Sequence, residues 1–164
     1  MVRTFNKEAV NLHSQKYMYS CIPSAVEMVL KLLNKVDMDY YCLQDEWREK
    51  SDGTFMDFHD RNIFGLKFTE IFHKHPLRGN KEFPYEELYK IIDDNLELQR
   101  YVIISLSVPG GAHMYVIFGK ENSEYLTFTK EKINEPLSTK IEKNTKYRIS
   151  KMKGTDILTY EEQN

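Results

Sequence analysis

An α+β domain is the fold class this sequence predicts, and three observations predict it. Apolar residues recur at helical spacing through much of the chain up to about residue 100. Beyond that point, short runs rich in Val, Ile, Tyr, Phe and Thr are separated by turn formers, as hairpin-connected strands are. Helices first and strands afterwards is the order of an α+β domain, and 164 residues suit a single core.

The first strong helix signal spans 23–35, where Ala25, Val26, Val29, Leu30, Leu32 and Leu33 form a broad apolar face. Pro23 fits its first turn, where a missing N–H leaves no bond unmade. A more polar helix is expected over 39–50, with Tyr40, Leu43 and Trp47 on one side and Ser51-Asp52-Gly53-Thr54 as its break. Residues 55–74 read as one or two short helices, with Gly65 a weak point. After a charged loop at 76–83, Pro84 opens a helix to about Leu98, with acids in its first turn and Leu88, Ile91, Ile92 and Leu96 on one side. Strands are expected at 101–108, 113–119, 125–129, 146–150 and 156–160, with Pro109-Gly110-Gly111 ending the first. The division expected is an extension at 1–14, a mostly helical lobe at 15–100 and a mostly β lobe at 101–160.

Composition narrows the function classes. Apolar residues at 41% and aromatics at 13% mark a folding chain rather than a disordered one. A formal charge of −2 lacks the basic footprint of a nucleic-acid binder. No apolar run reaches membrane-spanning length, and the N-terminal residues lack the apolar core of a signal peptide, so a cytoplasmic location is expected. Export by a route that needs no such signal is compatible with this. The two cysteines, Cys21 and Cys42, permit a disulfide on count alone but do not suggest a disulfide scaffold. The five histidines are scattered without zinc-type spacing; His73 and His75 before Pro76 suit a solvated helix end better than a metal site. No metal or organic cofactor is expected.

Cys21 carries the clearest chemical signal. It opens the apolar helix, where the positive end of the helix dipole favours thiolate, the nucleophilic form of cysteine. Gln15, six residues earlier, offers an amide that can donate to an oxyanion formed at the sulfur. His113, at the head of a strand behind Gly110-Gly111, is a base that can take the thiol proton and return it to a leaving group. Singly, each has a plainer reading: a buried small hydrophobe, a solvated loop residue and a strand-end histidine. Cys42 reads as packing in the 39–50 helix, and Trp47, Tyr17 and Tyr19 as core or cleft aromatics. His59-Asp60 resembles an acid–imidazole pair, but neighbours in a helix do not face each other.

The block from Gln15 to Cys21, the continuation Cys21-Ile22-Pro23-Ser24-Ala25-Val26, the helix from Pro84 and the Gly-Gly-Ala-His113 strand together resemble papain-like cysteine peptidases. The likeness is greatest to the compact bacterial branch that includes the double-glycine leader peptidases of bacteriocin transporters. Phytochelatin synthase has a similar Gln-to-Cys block. The resemblance implies a two-lobed domain, a Cys21 helix packed on an antiparallel sheet carrying His113, and a peptide or protein substrate. It implies Cys21 as nucleophile, Gln15 as oxyanion-hole donor and His113 as general base. The family places Asp or Asn sixteen residues past the histidine, and here Thr129 occupies that position. Thr129 or Glu131 is then the expected orienter of the imidazole, with Asn122 and Asn134 more distant candidates. The missing carboxylate also fits a catalytically degenerate domain that binds protein. An amidase, isopeptidase or transpeptidase would use the same dyad.

Overall fold

The run Val102-Ile103-Ile104 has no polar alternate position, as expected of a strand buried on both faces. A computed structural model describes residues 4–74, 84–108, 111–129, 133–134 and 155–163, and in it this strand lies inside a six-stranded sheet. The elements are helices α1 (Lys7–Leu12), α2 (Cys21–Leu32) and α3 (Cys42–Asp45), a 3-10 turn (Phe55–Phe58), strands β1 (Arg61–Ile63) and β2 (Leu66–Lys74), helix α4 (Tyr85–Glu97), and strands β3 (Val102–Val108), β4 (Gly111–Glu121), β5 (Glu124–Thr129) and β6 (Thr155–Glu162). The sheet order is β1-β2-β6-β3-β4-β5, and every neighbouring pair is antiparallel. The mixed α+β class holds.

Alternation along the strands divides the core in two. Ile103, Val116, Phe118, Phe128, Leu158 and Tyr160 join the cluster around α2, with Val26, Val29 and Leu30. Val102, Ile104, Leu106, Tyr115, Ile117 and Ile157 join the cluster around α4, with Leu88 and Ile92. A helix on each face explains the unbroken apolar runs that sequence periodicity alone cannot assign to either side.

The segment 55–74 corrects the helical expectation. Thr54 Oγ1 accepts from Met56 N at 3.2 Å and Asp57 Oδ2 accepts from Thr54 N at 2.7 Å, a reciprocal cap that holds only one 3-10 turn. Phe64 and Gly65 then adopt φ of 49° and 82°, a left-handed pair that joins β1 to β2 as a two-residue hairpin. Leu66 and Phe68 are buried while Lys67 and Thr69 are half-buried, the period of a strand. This hairpin belongs to the same sheet as β3–β6, so the span expected to be mostly helical also supplies two strands.

The helix expected over 39–50 is cut to the four residues of α3. Trp47 N, Arg48 N and Lys50 N bond to the carbonyls three residues back, which tightens the chain into successive turns. Helices α2 and α4 lie close to their expected spans, as do β3, β4, β5 and β6. The strand expected at 146–150 lies outside the described residues.

Candidate active site

Cys21 is the first residue of α2, with Ser20 as N-cap and Pro23 third in the helix. Ser24 N donates to Ser20 O at 2.9 Å, so the helix ladder starts at the cap itself. The Cys21 side chain is half-buried. Burial pushes its thiol above the ordinary range, while the backbone N–H groups of Ile22 and of Cys21 itself pull the other way. The helix-end effect expected from the sequence is therefore present, but desolvation exceeds it.

A cavity of about 20 Å³, room for one water molecule, lies beside this residue. Gln15, Cys21, Ser24 and Thr129 line it together with Ala25, Met28, Met114, Val116 and Phe128. Three of the residues singled out in the sequence thus meet in one place. His113 is not among the lining residues; the next residue in β4, Met114, is. His113 is half-buried and stands opposite Leu106 in the β3–β4 register. Alternation turns Met114 toward α2 and His113 toward the other face of the sheet, the one that carries Tyr115 and Leu106 and packs on α4. The imidazole therefore does not share the cavity with the Cys21 sulfur.

Gln15 is buried, and both hydrogens of its amide are committed: Nε2 donates to Tyr17 O at 2.8 Å and to Met18 O at 3.2 Å. Its main-chain carbonyl accepts from Asn134 N at 2.6 Å, which brings the chain beyond β5 back to the cysteine loop. Thr129 Oγ1 donates to Met114 O at 2.8 Å, leaving its lone pairs free to accept another hydrogen. Thr129 pairs with Tyr115, so His113, two residues earlier in β4, is its diagonal neighbour. Glu131 lies outside the described residues.

Other sequence candidates resolve plainly. Asn122 and Ser123, with φ of 51° and 67°, form the turn at the far end of the β4–β5 hairpin. Cys42 is exposed rather than packed, and neither cysteine is in a disulfide. His59 and Asp60 are not helical: Nε2 and Oδ2 approach to 3.5 Å, and Nδ1 accepts from Glu70 N at 3.0 Å. That pair sits beside β1 and β2, at the opposite edge of the sheet from β4 and β5. Trp47 is core, packed on Phe58, while Tyr19 is exposed. Tyr17 donates through its hydroxyl to Asp45 Oδ1 at 2.6 Å. The described residues contain no group of three or more His, Cys, Asp or Glu suited to a metal ion, and no helix long and apolar enough to cross a membrane.

The sequence reading passed over a polar network beneath the site. His13, Glu27, Lys31 and Gln44 are all fully buried. Glu27 Oε2 accepts from Leu43 N at 3.0 Å and Gln44 N at 3.2 Å, so an acid on α2 receives two amides of the single turn of α3. Lys31 Nζ lies 2.9 Å from His13 Nδ1 and 3.7 Å from the centre of the Tyr41 ring, and His13 Nε2 lies 2.7 Å from Ser24 O. The available signal was Glu27 and Lys31 at i, i+4 within an otherwise apolar helix, where buried charges require partners.

No family model, no curated protein and no solved structure matches the chain.

Proposed function

We propose that this protein is a papain-like cysteine peptidase that hydrolyses peptide bonds through a Cys21 thioester. The observation that carries the reading is that Cys21 opens α2 on a cavity shared with Gln15, whose opposite wall includes β4, the strand that bears His113. Catalysis on this reading requires the start of β4 to bring the His113 ring round to the Cys21 face, where it takes the thiol proton as the sulfur attacks the scissile carbonyl. The tetrahedral oxyanion is met by the backbone N–H of Cys21 and by the Gln15 amide, which releases one of its two loop carbonyls to do so. The protonated imidazole gives its proton to the leaving amine, and water then hydrolyses the thioester with His113 again as base. Thr129, or Glu131, accepts from the imidazole and holds its tautomer. The substrate is a peptide or protein, and the chemistry uses no cofactor.

Burial raises the Cys21 thiol, so the substrate-free protein favours the protonated sulfur and the base must take its proton for attack. The test is cleavage of a proteome-derived peptide library, with Cys21→Ala and His113→Ala as controls. Cleavage by the native chain that both substitutions abolish supports the reading; cleavage that survives Cys21→Ala refutes it.

A second reading, a papain-like domain that binds protein without catalysis, is favoured by the occupied Gln15 amide. An inert wild-type chain with retained binding of a peptide in the same library would select it. An isopeptidase or transpeptidase would share the dyad and show the same dependence on Cys21 with a different acyl acceptor.

A further inference from the structure

Gln44, in α3, is fully buried, and besides its contact with Glu27 its side chain makes three hydrogen bonds to the loop that carries Gln15 and Cys21. Lys16 N donates to Gln44 Oε1 at 2.7 Å, and Gln44 Nε2 donates to Ser14 O at 3.0 Å. These are the main-chain groups on either side of Gln15. The same Oε1 accepts from Ser20 Oγ at 2.8 Å, and Ser20 is the N-cap of the Cys21 helix. The orientation of the amide is fixed by its partners, because a backbone N–H only donates and a carbonyl only accepts.

We infer that Gln44 is the positioning residue of this site: one buried amide holds the Gln15 peptide from both sides and ties it to the cap of the Cys21 helix. The anchor of that amide is α2 itself. Gln44 N donates to Glu27 Oε2 at 3.2 Å, so the chain of contacts runs from α2 through Glu27 to α3, through Gln44 to the loop, and back to Cys21. Relative placement of Gln15 and Cys21 is thereby set by one closed ring of hydrogen bonds rather than by a free loop. The site demands a side chain with one oxygen able to accept twice and one donor beside it. Glutamine meets this at every pH, whereas a glutamate of the same shape meets it only when protonated. Serving the catalytic role of Gln15 and Cys21 rests on the peptidase reading; fixing their position does not.

The experiment separates the two. Amide hydrogen exchange is followed residue by residue in wild type, Gln44→Met and Gln44→Glu, and expressed as protection relative to the unfolded chain at pH 5 and pH 8. Gln44→Met leaves Ser14 O and Lys16 N without partners in the interior, so protection at Lys16 and Tyr17 should fall about tenfold or more while β3 and β4 keep theirs. Gln44→Glu still offers Lys16 N an acceptor, but once ionised its second oxygen repels Ser14 O instead of donating to it. Compared at each pH with wild type, in which Glu27 also titrates, its protection should match at pH 5 and fall part of the way toward Gln44→Met at pH 8, a response that simple loss of packing volume does not produce. If Gln44→Met fails to fold, the pH response of Gln44→Glu decides alone. Unchanged protection at Lys16 and Tyr17 in both variants overturns the inference. In the activity arm, kcat for a cleaved peptide should follow the protection in each variant, recovering in Gln44→Glu at low pH relative to wild type at that pH. Wild type that cleaves nothing refutes the peptidase reading and leaves exchange to judge Gln44; cleavage that is indifferent to lost protection overturns Gln44 as the positioning residue for catalysis.

Discussion

Lys31 Nζ donates to Nδ1 of His13 at 2.9 Å with both side chains fully buried, so the imidazole is held as a neutral acceptor facing a cation. Burial first, and then Lys31, lowers the His13 pKa from 6.5 to about 3. On the same helix, burial raises Glu27 from 4.5 to about 7, and lowers Lys31 from 10.5 to about 8. Three ionisable groups thus share one pocket of low polarity, each shifted toward its neutral form.

The shifts give opposed pH dependences. As pH falls below about 6.5 the unfolded chain protonates His13 and the folded one does not, so its contribution is full above that point and is lost toward pH 3. Between pH 4.5 and about 7 the folded chain keeps a proton on Glu27 that the unfolded chain has released, so stability falls as pH rises there. From about 8 to 10.5 the unfolded chain holds the Lys31 proton longer, and stability rises. Glu27→Gln keeps an acceptor for Leu43 N and Gln44 N but removes the titration. Urea unfolding across pH 4.5–7 should show this variant gaining on wild type by up to about 1.4 kcal/mol per pH unit. Parallel curves for the two proteins would mean that Glu27 is ionised throughout.

Gly53 lies over the Trp47 ring, and a Cβ built there would fall onto ring carbons Cζ3 and Cη2. Trp47 is buried against Phe58 and has no exposed direction in which to yield. Gly53→Ala should therefore cost about 1–3 kcal/mol, as overpacking of a filled core does. A thermal melt reads this directly, and an unchanged midpoint would show that the loop moves away from the ring at no cost.

The parts of the fold that were legible in the sequence are those where local signals and tertiary packing agree. Pro23 and the apolar face of α2, the acidic first turn of α4, and the β-branched run of β3 all point the same way at both levels. The hairpin at Arg61–Lys74 was missed because its turn is Phe64-Gly65 rather than one of the usual Asn-Gly or Asp-Gly pairs, and because aromatic residues fit either period over so short a span. At the site, spacing along one segment brought Gln15 and Cys21 into view. The partners that hold them come from elsewhere: Gln44 is separated from Gln15 by a helix and a loop, and Asn134 lies beyond the whole β4–β5 hairpin. Such contacts have no periodicity to read. The buried thiol likewise depends on how closely β4 and β5 approach α2, which no residue pattern encodes.

The two cysteines provide an internal comparison. Cys42 is exposed at the start of α3, whereas Cys21 is half-buried with its thiol pushed up by desolvation. In the substrate-free protein at neutral pH, iodoacetamide should modify Cys42 first, with Cys21 lagging about tenfold or more. The Cys21 rate should climb with pH beyond the ordinary thiol range. Peptide mass mapping over a time course distinguishes the sites. Faster reaction at Cys21 would show that His113 already stabilises a thiolate before substrate arrives.

Thr129 straps β4 through its hydroxyl, and the peptidase reading gives it a second, separable role as acceptor for the imidazole. Its hydroxyl hydrogen is spent on Met114 O at 2.8 Å, so toward any further partner it can only accept. Thr129→Val keeps the shape and removes both functions; Thr129→Ser keeps both with less packing. Loss of the strap alone should cost about 1 kcal/mol of stability and leave catalysis untouched. If Thr129 also holds the imidazole tautomer, Thr129→Val should lower kcat about tenfold or more with little change in KM, and Thr129→Ser should restore most of it. A Thr129→Val enzyme that is less stable but equally fast would leave Glu131 as the residue to orient His113, and Glu131→Gln would then carry the loss of kcat instead.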